Sequence, residues 1–289
     1  MTTSSANHFD SYSFLNHTPE GTINFYEFHK GRPVEACDYH QAYMEDDIAV
    51  STLLTPEHQE WVTKAKSIKD KFSCHKARLY VEWDYPTEGE LQMPAIFLDF
   101  GNWRSEPAGK LANDGSWEDL FYELVRASGH EFERDDIPKC PDVSPFNKIA
   151  IGFFPARVKH EPWIRVVCNK TVPEAAEFAR SMGFSTKWFD KFDIVKHCTT
   201  CLISFDVYKD RIEKPAAEMI LLANDHNKVD VPEAFPEFVP IFDEAFDTVQ
   251  KAHGDHLSRL QLCHFKVGLT DEAFEQGDVK MYLIGTVKK

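Results

Sequence analysis

Residues Leu260 to Thr286 read LQLCHFKVGL, then a polar turn TDEAFEQGD, then VKMYLIGT. Both apolar runs alternate with period two, the spacing of side chains on the two faces of a β-strand. In the first run Leu262, His264 and Lys266 share one face, and Cys263, Phe265 and Val267 take the other. In the second, Lys280 and Tyr282 stand opposite Val279, Met281 and Leu283. The hairpin thus has one greasy side and one side that gathers cations and a phenol. Lysine is rare inside a sheet unless an anion meets it there. For a single hairpin a solvated face explains the pattern; its recurrence upstream changes the meaning.

Upstream, TINFYEF (Thr22 to Phe28) is a β-prone run, expected to pair with DIAVSTLL (Asp47 to Leu54) across a polar excursion. Thr55 and Pro56 then open a helix, with Trp61, Ala65, Ile68 and Phe72 at helical spacing. RLYVEWD (Arg78 to Asp84) places Leu79, Val81 and Trp83 on one face and Arg78, Tyr80, Glu82 and Asp84 on the other. MPAIFLDF follows, with Ile96, Leu98 and Phe100 as its apolar side, and Ser116 with Asp119 caps a helix ending at Gly129. KIAIGFFP and PWIRVVC make a third hairpin, with Trp163, Arg165 and Val167 together; Thr171 and Glu174 cap the next helix, which stops at Gly183. HCTTCLISFDVY and AAEMILLA make a fourth, aligning Leu202, Ser204, Asp206 and Tyr208 on one strand and Glu218, Ile220 and Leu222 on its partner. A helix from Pro240 to His253, with Phe242, Phe246 and Val249 as its stripe, leads to the last hairpin.

Strand starts near residues 22, 78, 148, 199 and 261 give a period of about 60. Repeated hairpin-plus-helix units of an α+β protein bury their apolar faces by setting all helices on one side of a continuous antiparallel sheet. Ten strands with helices outside are expected to curl and close, because an open sheet of that size has edges to hide. The other strand faces then point into a lumen holding Arg78, Tyr80, Glu82, Asp84, Arg165, Asp206, Glu218, His264, Lys266, Lys280 and Tyr282. Charges do not fill a barrel for stability, so a solvated ligand chamber is expected. Residues 1–21 read as a loose arm and 22–289 as one barrel domain.

Composition narrows the partners. The 289 residues are 43% hydrophobic, enough for a substantial core. No run approaches the roughly 18 apolar residues of a membrane span, and the opening residues have no leader pattern, so cytoplasmic residence is expected. Seven cysteines without framework spacing fit a reducing compartment. A net charge of −15 disfavours a nucleic-acid partner. The spacing of His197, Cys198 and Cys201 invites zinc, but a single CxxC running into an apolar strand is a weak ligand set, and no metal site is assigned. No P-loop, GxGxxG or GxSxG motif is present.

The strand pairs IAIGFF with WIRVVC, CLISFDVY with AEMILL, and CHFKVGL with VKMYLIG resemble those of the ABBA prenyltransferases, most closely the cyanobactin-type branch that prenylates peptides. The resemblance runs from about residue 78 onward and implies a ten-stranded antiparallel barrel ringed by helices. It implies transfer of a dimethylallyl or geranyl group from an allylic diphosphate to a peptide side chain, arginine or aromatic, with Mg²⁺ accompanying the diphosphate. Arg78, Arg165, Lys266, Lys280 and Tyr282 would hold the diphosphate, and Glu82 would accept the acceptor's proton, with Asp84 second. Tyr80, Trp163, Asp206, Glu218 and His264 would wall the chamber or touch the acceptor. The sequence departs from the branch where an arginine is expected on the strand MPAIFLDF, which carries Phe97 and Asp99 instead. Two other readings stand beside this one: an aromatic small-molecule prenyltransferase of the same fold, and a noncatalytic barrel that binds an amphipathic molecule. The enzyme calls for excess cations at one end of the chamber, the binder for matched pairs.

Overall fold

The computed structural model describes residues 22–44, 55–72, 77–85, 92–102, 117–139, 148–191, 198–221, 235 and 238–288. Period-two runs form the strands β1 (Thr22–His29), β2 (Asp38–Met44), β3 (Arg78–Tyr85), β4 (Ala95–Asn102) and β5 (Lys148–Phe153). They continue as β6 (Ile164–Lys170), β7 (Cys198–Val207), β8 (Ile212–Leu221), β9 (Leu257–Gly268) and β10 (Val279–Val287). Each strand pairs antiparallel with its sequence neighbours, and β1 pairs with both β2 and β10, so the ladder closes into a barrel. The expected arm at residues 1–21 lies outside the described residues.

The helices α1 (Pro56–Lys71), α2 (Trp117–Ala127), α3 (Val172–Ser181) and α5 (Val239–His253) follow the first four hairpins, and a short α4 (Lys187–Lys191) follows α3. Local sequence sets their ends. The Thr55 hydroxyl accepts the His58 N–H ahead of Pro56, and Thr171 with Glu174 forms a capping box. Gly129 and Gly183 take φ of +90° and +75°, a left-handed stop that side-chain-bearing residues resist. The outward strand faces are the apolar ones. Leu79, Val81 and Trp83 are fully buried, and α1 packs on β3. The Trp61 indole of α1 donates to the Pro94 carbonyl at 3.0 Å. Phe205 of β7 meets Phe178 of α3, ring centroids 6.2 Å apart, and Phe265 of β9 meets Phe235 at 4.1 Å. Each such ring contributes about 2–3 kcal/mol when buried, so the helical jacket is what the outer face requires.

Four features differ from the sequence reading. The partner of β1 is Asp38–Met44, which the reading had placed within the polar excursion; Asp47 to Leu54 lies outside the described residues. The excursion turns back quickly at Gly31, φ +82°, and a 3₁₀ turn at Val34–Ala36. The polar turn before β10 contains a helix, α6 (Asp271–Gln276), whose start is capped by Thr270 and whose end is Gly277 at φ +63°. A register shift sets His264 opposite Tyr282 but Leu262 opposite Leu283, so Leu262 joins Leu283 on the face away from His264. On α5, Ala245 and Val249 are buried while Phe242 and Phe246 are only half-buried.

Gly152 marks a tight approach in the sheet. It pairs with Phe97 on one side and Arg165 on the other, and a Cβ there would fall 2.5 Å from the Phe97 ring. The ring lies across the space that a side chain would fill. Gly152→Ala should therefore destabilise the protein by about 1–3 kcal/mol through overpacking, read as a lower denaturant midpoint at unchanged m-value.

Candidate functional site

The barrel holds a chamber of about 680 Å³ at one end, where odd-numbered strands finish and even-numbered strands begin. Glu27 from β1, Glu82 from β3, Ser204 from β7, and His264 and Lys266 from β9 line it from the finishing strands. Phe97 from β4, Arg165 from β6, Ala216 and Glu218 from β8, and Lys280 and Tyr282 from β10 line it from the others. Phe25, Phe154, Arg157 and Lys214 complete most of the wall.

Strand register matches acids to bases across this wall. Arg165 faces Asp206 and donates to it twice, Nε to Oδ1 at 2.8 Å and Nη2 to Oδ2 at 3.1 Å. Lys266 faces Glu218 and donates to its Oε1 at 2.8 Å. Lys280 Nζ lies 3.1 Å from Glu27 Oε1, and the Tyr282 hydroxyl donates to Glu27 Oε2. His264 stacks on the Tyr282 ring at 4.3 Å between centroids and 19° between planes. Trp163 stacks on Phe154 at 5.3 Å, and the Arg165 guanidinium sits over the same two rings at 5.6 and 5.0 Å.

Burial and charge pull the titrating groups in opposite directions. Burial acts to raise the Glu218 carboxyl, but Lys266, His264 and Arg165 outweigh it and hold that carboxyl below its ordinary value. Burial likewise works against the Arg165 charge, and Asp206, Glu218 and Glu82 more than restore it. Burial, then Glu27, Glu218 and Glu82, push the Tyr282 phenol well up, so it stays protonated and donates.

Of the residues expected from sequence, Glu82, Arg165, Glu218, His264, Lys266, Lys280 and Tyr282 line the chamber. Asp206 sits fully buried behind Arg165. Tyr80 and Trp163 are buried but not part of the lining; Trp163 acts on the wall through Phe154. Arg78 is exposed at the start of β3, opposite Asp99, and is not in the wall, because its end of the strand is away from the chamber. The Asp84 side chain lies outside the described residues. The reading missed Phe25 and Glu27, which the alternation of TINFYEF places on one face and which a correct first hairpin would have revealed. It also missed Arg157 and Lys214. Arg157 sits on a 3₁₀ turn and Lys214 at φ +48° beside a break in the β7–β8 register, positions that period two does not reach.

Among the described residues one group has the spacing of metal ligands, Glu27, His29 and Asp38. Lys280 already lies on Glu27, and Arg32 donates to Asp38 at 2.9 Å, so cations occupy the carboxylates and the set does not fit a resident ion. Cys198 and Cys201 are buried in β7, burial pushes the Cys198 thiol up to about 12, and His197 lies outside the described residues. No helix among the described residues is long and apolar enough to cross a membrane.

No family model and no curated protein matches this sequence. Among solved structures, the crystal structure of AnaPT from Neosartorya fischeri aligns with a TM-score of 0.50 at 7% identity, covering 93% of this chain and 79% of that one. The two chains share a fold. It is the helix-jacketed antiparallel barrel that the sequence resemblance implied. The crystal structure of NotF in complex with brevianamide F and DMSPP aligns with a TM-score of 0.48 at 12% identity, covering 93% of this chain and 80% of that one.

Because Glu218 is held below its ordinary value, it contributes stability above that value and loses the contribution as pH falls through the lowered one. Lys266→Met removes the largest stabilising charge and leaves Glu218 buried. We expect a loss of about 2 kcal/mol at neutral pH, at the lower end for such pairs because Lys266 keeps 20% of its side chain exposed. The slope of stability against pH in the acid range should shrink in the variant, as denaturant melts across that range would report.

Proposed function

We propose that this chain is a prenyltransferase that moves a dimethylallyl or geranyl group from its diphosphate onto an aromatic small molecule. The observation that carries this reading is the make-up of the chamber: Lys214, Lys266, Lys280, Arg157 and Arg165 gather at one barrel end around the rings of Phe25, Phe97, Phe154, His264 and Tyr282. Cations held in place suit a pyrophosphate leaving group, and stacked ring faces suit an allylic cation and a flat acceptor. A volume of about 680 Å³ belongs to the small-molecule class of pockets. It gives no particular support to the peptide acceptor.

In the proposed reaction the diphosphate binds across Lys266, Lys280 and Arg165, with the Tyr282 hydroxyl as a further donor. The C1–O bond breaks and its electron pair leaves with pyrophosphate. The acceptor ring, held near the allylic cation, then supplies the pair for the new bond. A carboxylate of the wall takes the ring proton; the resemblance puts that task on Glu82, which lines the chamber and is 8% exposed. Mg²⁺ belongs to this proposal as a companion of the diphosphate, and no step depends on a protein cage for it.

The noncatalytic binder keeps one observation in its favour. Lys266, Lys280 and Arg165 each already face a carboxylate, the matched pattern expected of a binding module. Turnover separates the two readings. Purified protein with Mg²⁺ and either allylic diphosphate should add one or two isoprene units to an indole- or phenol-type acceptor, seen by mass spectrometry, and not to arginine-containing peptides. Lys280→Ala should raise the donor KM roughly tenfold or more, the worth of one charged hydrogen bond. Ligand uptake without mass gain, and without heat stabilisation by an unreactive diphosphate analogue, would leave the binder as the account of this chain.

A further inference from the structure

The charges of the chamber are not spread evenly around it. In the closed strand order β6 to β9 form one arc, and β10, β1, β2 and β3 form another. On the first arc Arg165, Lys214 and Lys266 stand against Asp206 and Glu218, and Arg157 joins them from the turn after β5. On the second arc Lys280 is the one lining cation among the described residues, and the lining carboxylates are Glu27, Glu82 and Asp278. Cations are therefore in excess on the first arc and carboxylates on the second. The excess survives pairing, because a carboxylate in an ion pair still contributes its charge to the field. Two further basic groups, Lys30 beside Gly277 and His29 at 2.5 Å from Glu27, are not part of the lining. Besides burial, which acts most, the charges that push the Tyr282 phenol up are all carboxylates, Glu27, Glu218 and Glu82.

The acidic arc is open to a ligand and flanked by ring faces. Asp278 is exposed at the rim, and Glu27 keeps 16% of its side chain accessible. Phe25 packs near His264 at 6.5 Å between centroids, and His264 stacks on Tyr282, so three rings of the lining cluster beside these carboxylates. Carboxylates with ring faces next to them attract an ammonium group and repel an anion. We infer that the acceptor is a cationic aromatic amine, seated with its ammonium toward the Glu27, Glu82 and Asp278 side and its ring against Phe25 and Tyr282; that this molecule is an acceptor rests on the prenyltransferase reading. The donor belongs on the cationic arc. Lys266 opposes Lys280 in register, so a diphosphate on Lys266 also draws on Lys280. With Lys280 turned to the diphosphate, the second arc faces the remaining space with less opposing charge. Donor and amine therefore strengthen each other's binding, and by linkage they do so by the same factor.

The test is a calorimetric comparison of tryptamine, indole and indole-3-propionate, which share a ring and differ in charge. It is run at about pH 8, where an alkylamine is charged and an ordinary imidazole is not, with and without inorganic pyrophosphate. Tryptamine should bind roughly tenfold or more tighter than indole, the worth of one charged contact, and indole-3-propionate should bind most weakly. Pyrophosphate should tighten tryptamine by roughly fivefold or more and leave indole unchanged. Asp278→Asn, at an exposed position, and Glu82→Gln should each weaken tryptamine and leave indole as it was. Equal affinity for the three molecules, or a preference for indole-3-propionate, overturns the inference. Loss of tryptamine and indole together in both variants reads as damage to the wall and overturns it too. A mass-spectrometric assay with dimethylallyl diphosphate keeps the two readings apart. Isoprene transfer to indole without any preference for the amine overturns this inference alone. A clear preference for tryptamine in a protein that binds no pyrophosphate and transfers nothing upholds the amine seat and overturns the prenyltransferase reading.

Discussion

A cation that points into a closed barrel must meet its anion there, and that requirement arranges the whole chamber. The partner of an inward lysine or arginine is chosen by strand register, since directly opposed residues share a face. Lys266 finds Glu218 because β8 and β9 pair as they do, and Arg165 finds Asp206 because β6 and β7 do. A slip of one residue would set a bare charge against the helices and an apolar chain in the lumen. Charge matching inside and apolar burial outside therefore specify the same register twice. Buried ion pairs add little net stability over apolar groups of similar size, so the charged row is better explained by what the chamber holds than by the fold it supports.

The outer face asks only to be covered. Helices placed after each of the first four hairpins do this with ordinary side chains, Trp61 on Phe153 and Phe178 on Phe205 among them. The jacket constrains the strands from one side only. The inner surface is then open to change wherever the register is kept, with Gly152 as the exception because the Phe97 ring occupies its side-chain space.

Period two made most of this legible. Glu82, Arg165, Glu218, His264, Lys266, Lys280 and Tyr282 reach the chamber because alternation alone separates inner from outer residues. The reading failed where alternation breaks or is masked. In DYHQAYM polar residues occupy both faces, so β2 gives no amphipathic signal. The shift beside Tyr282 reversed Leu262, and no single sequence announces a bulge. Arg78 failed differently: its face parity was followed, but the depth along the strand at which the chamber ends is a property of the assembled barrel.

The seam of the barrel joins its first strand to its last, and Tyr282 meets Glu27 across 255 residues of chain. Contacts of such long range form late, because closing the intervening loop is slow compared with making local hairpins. During synthesis the strands from β1 to β9 can be arranged while Glu27 and the rim still wait for β10. Until that strand arrives the inner charges stand in water, and β1 and β9 present unpaired edges to other chains. The chamber and the protection against edge-to-edge aggregation are completed in the same final step.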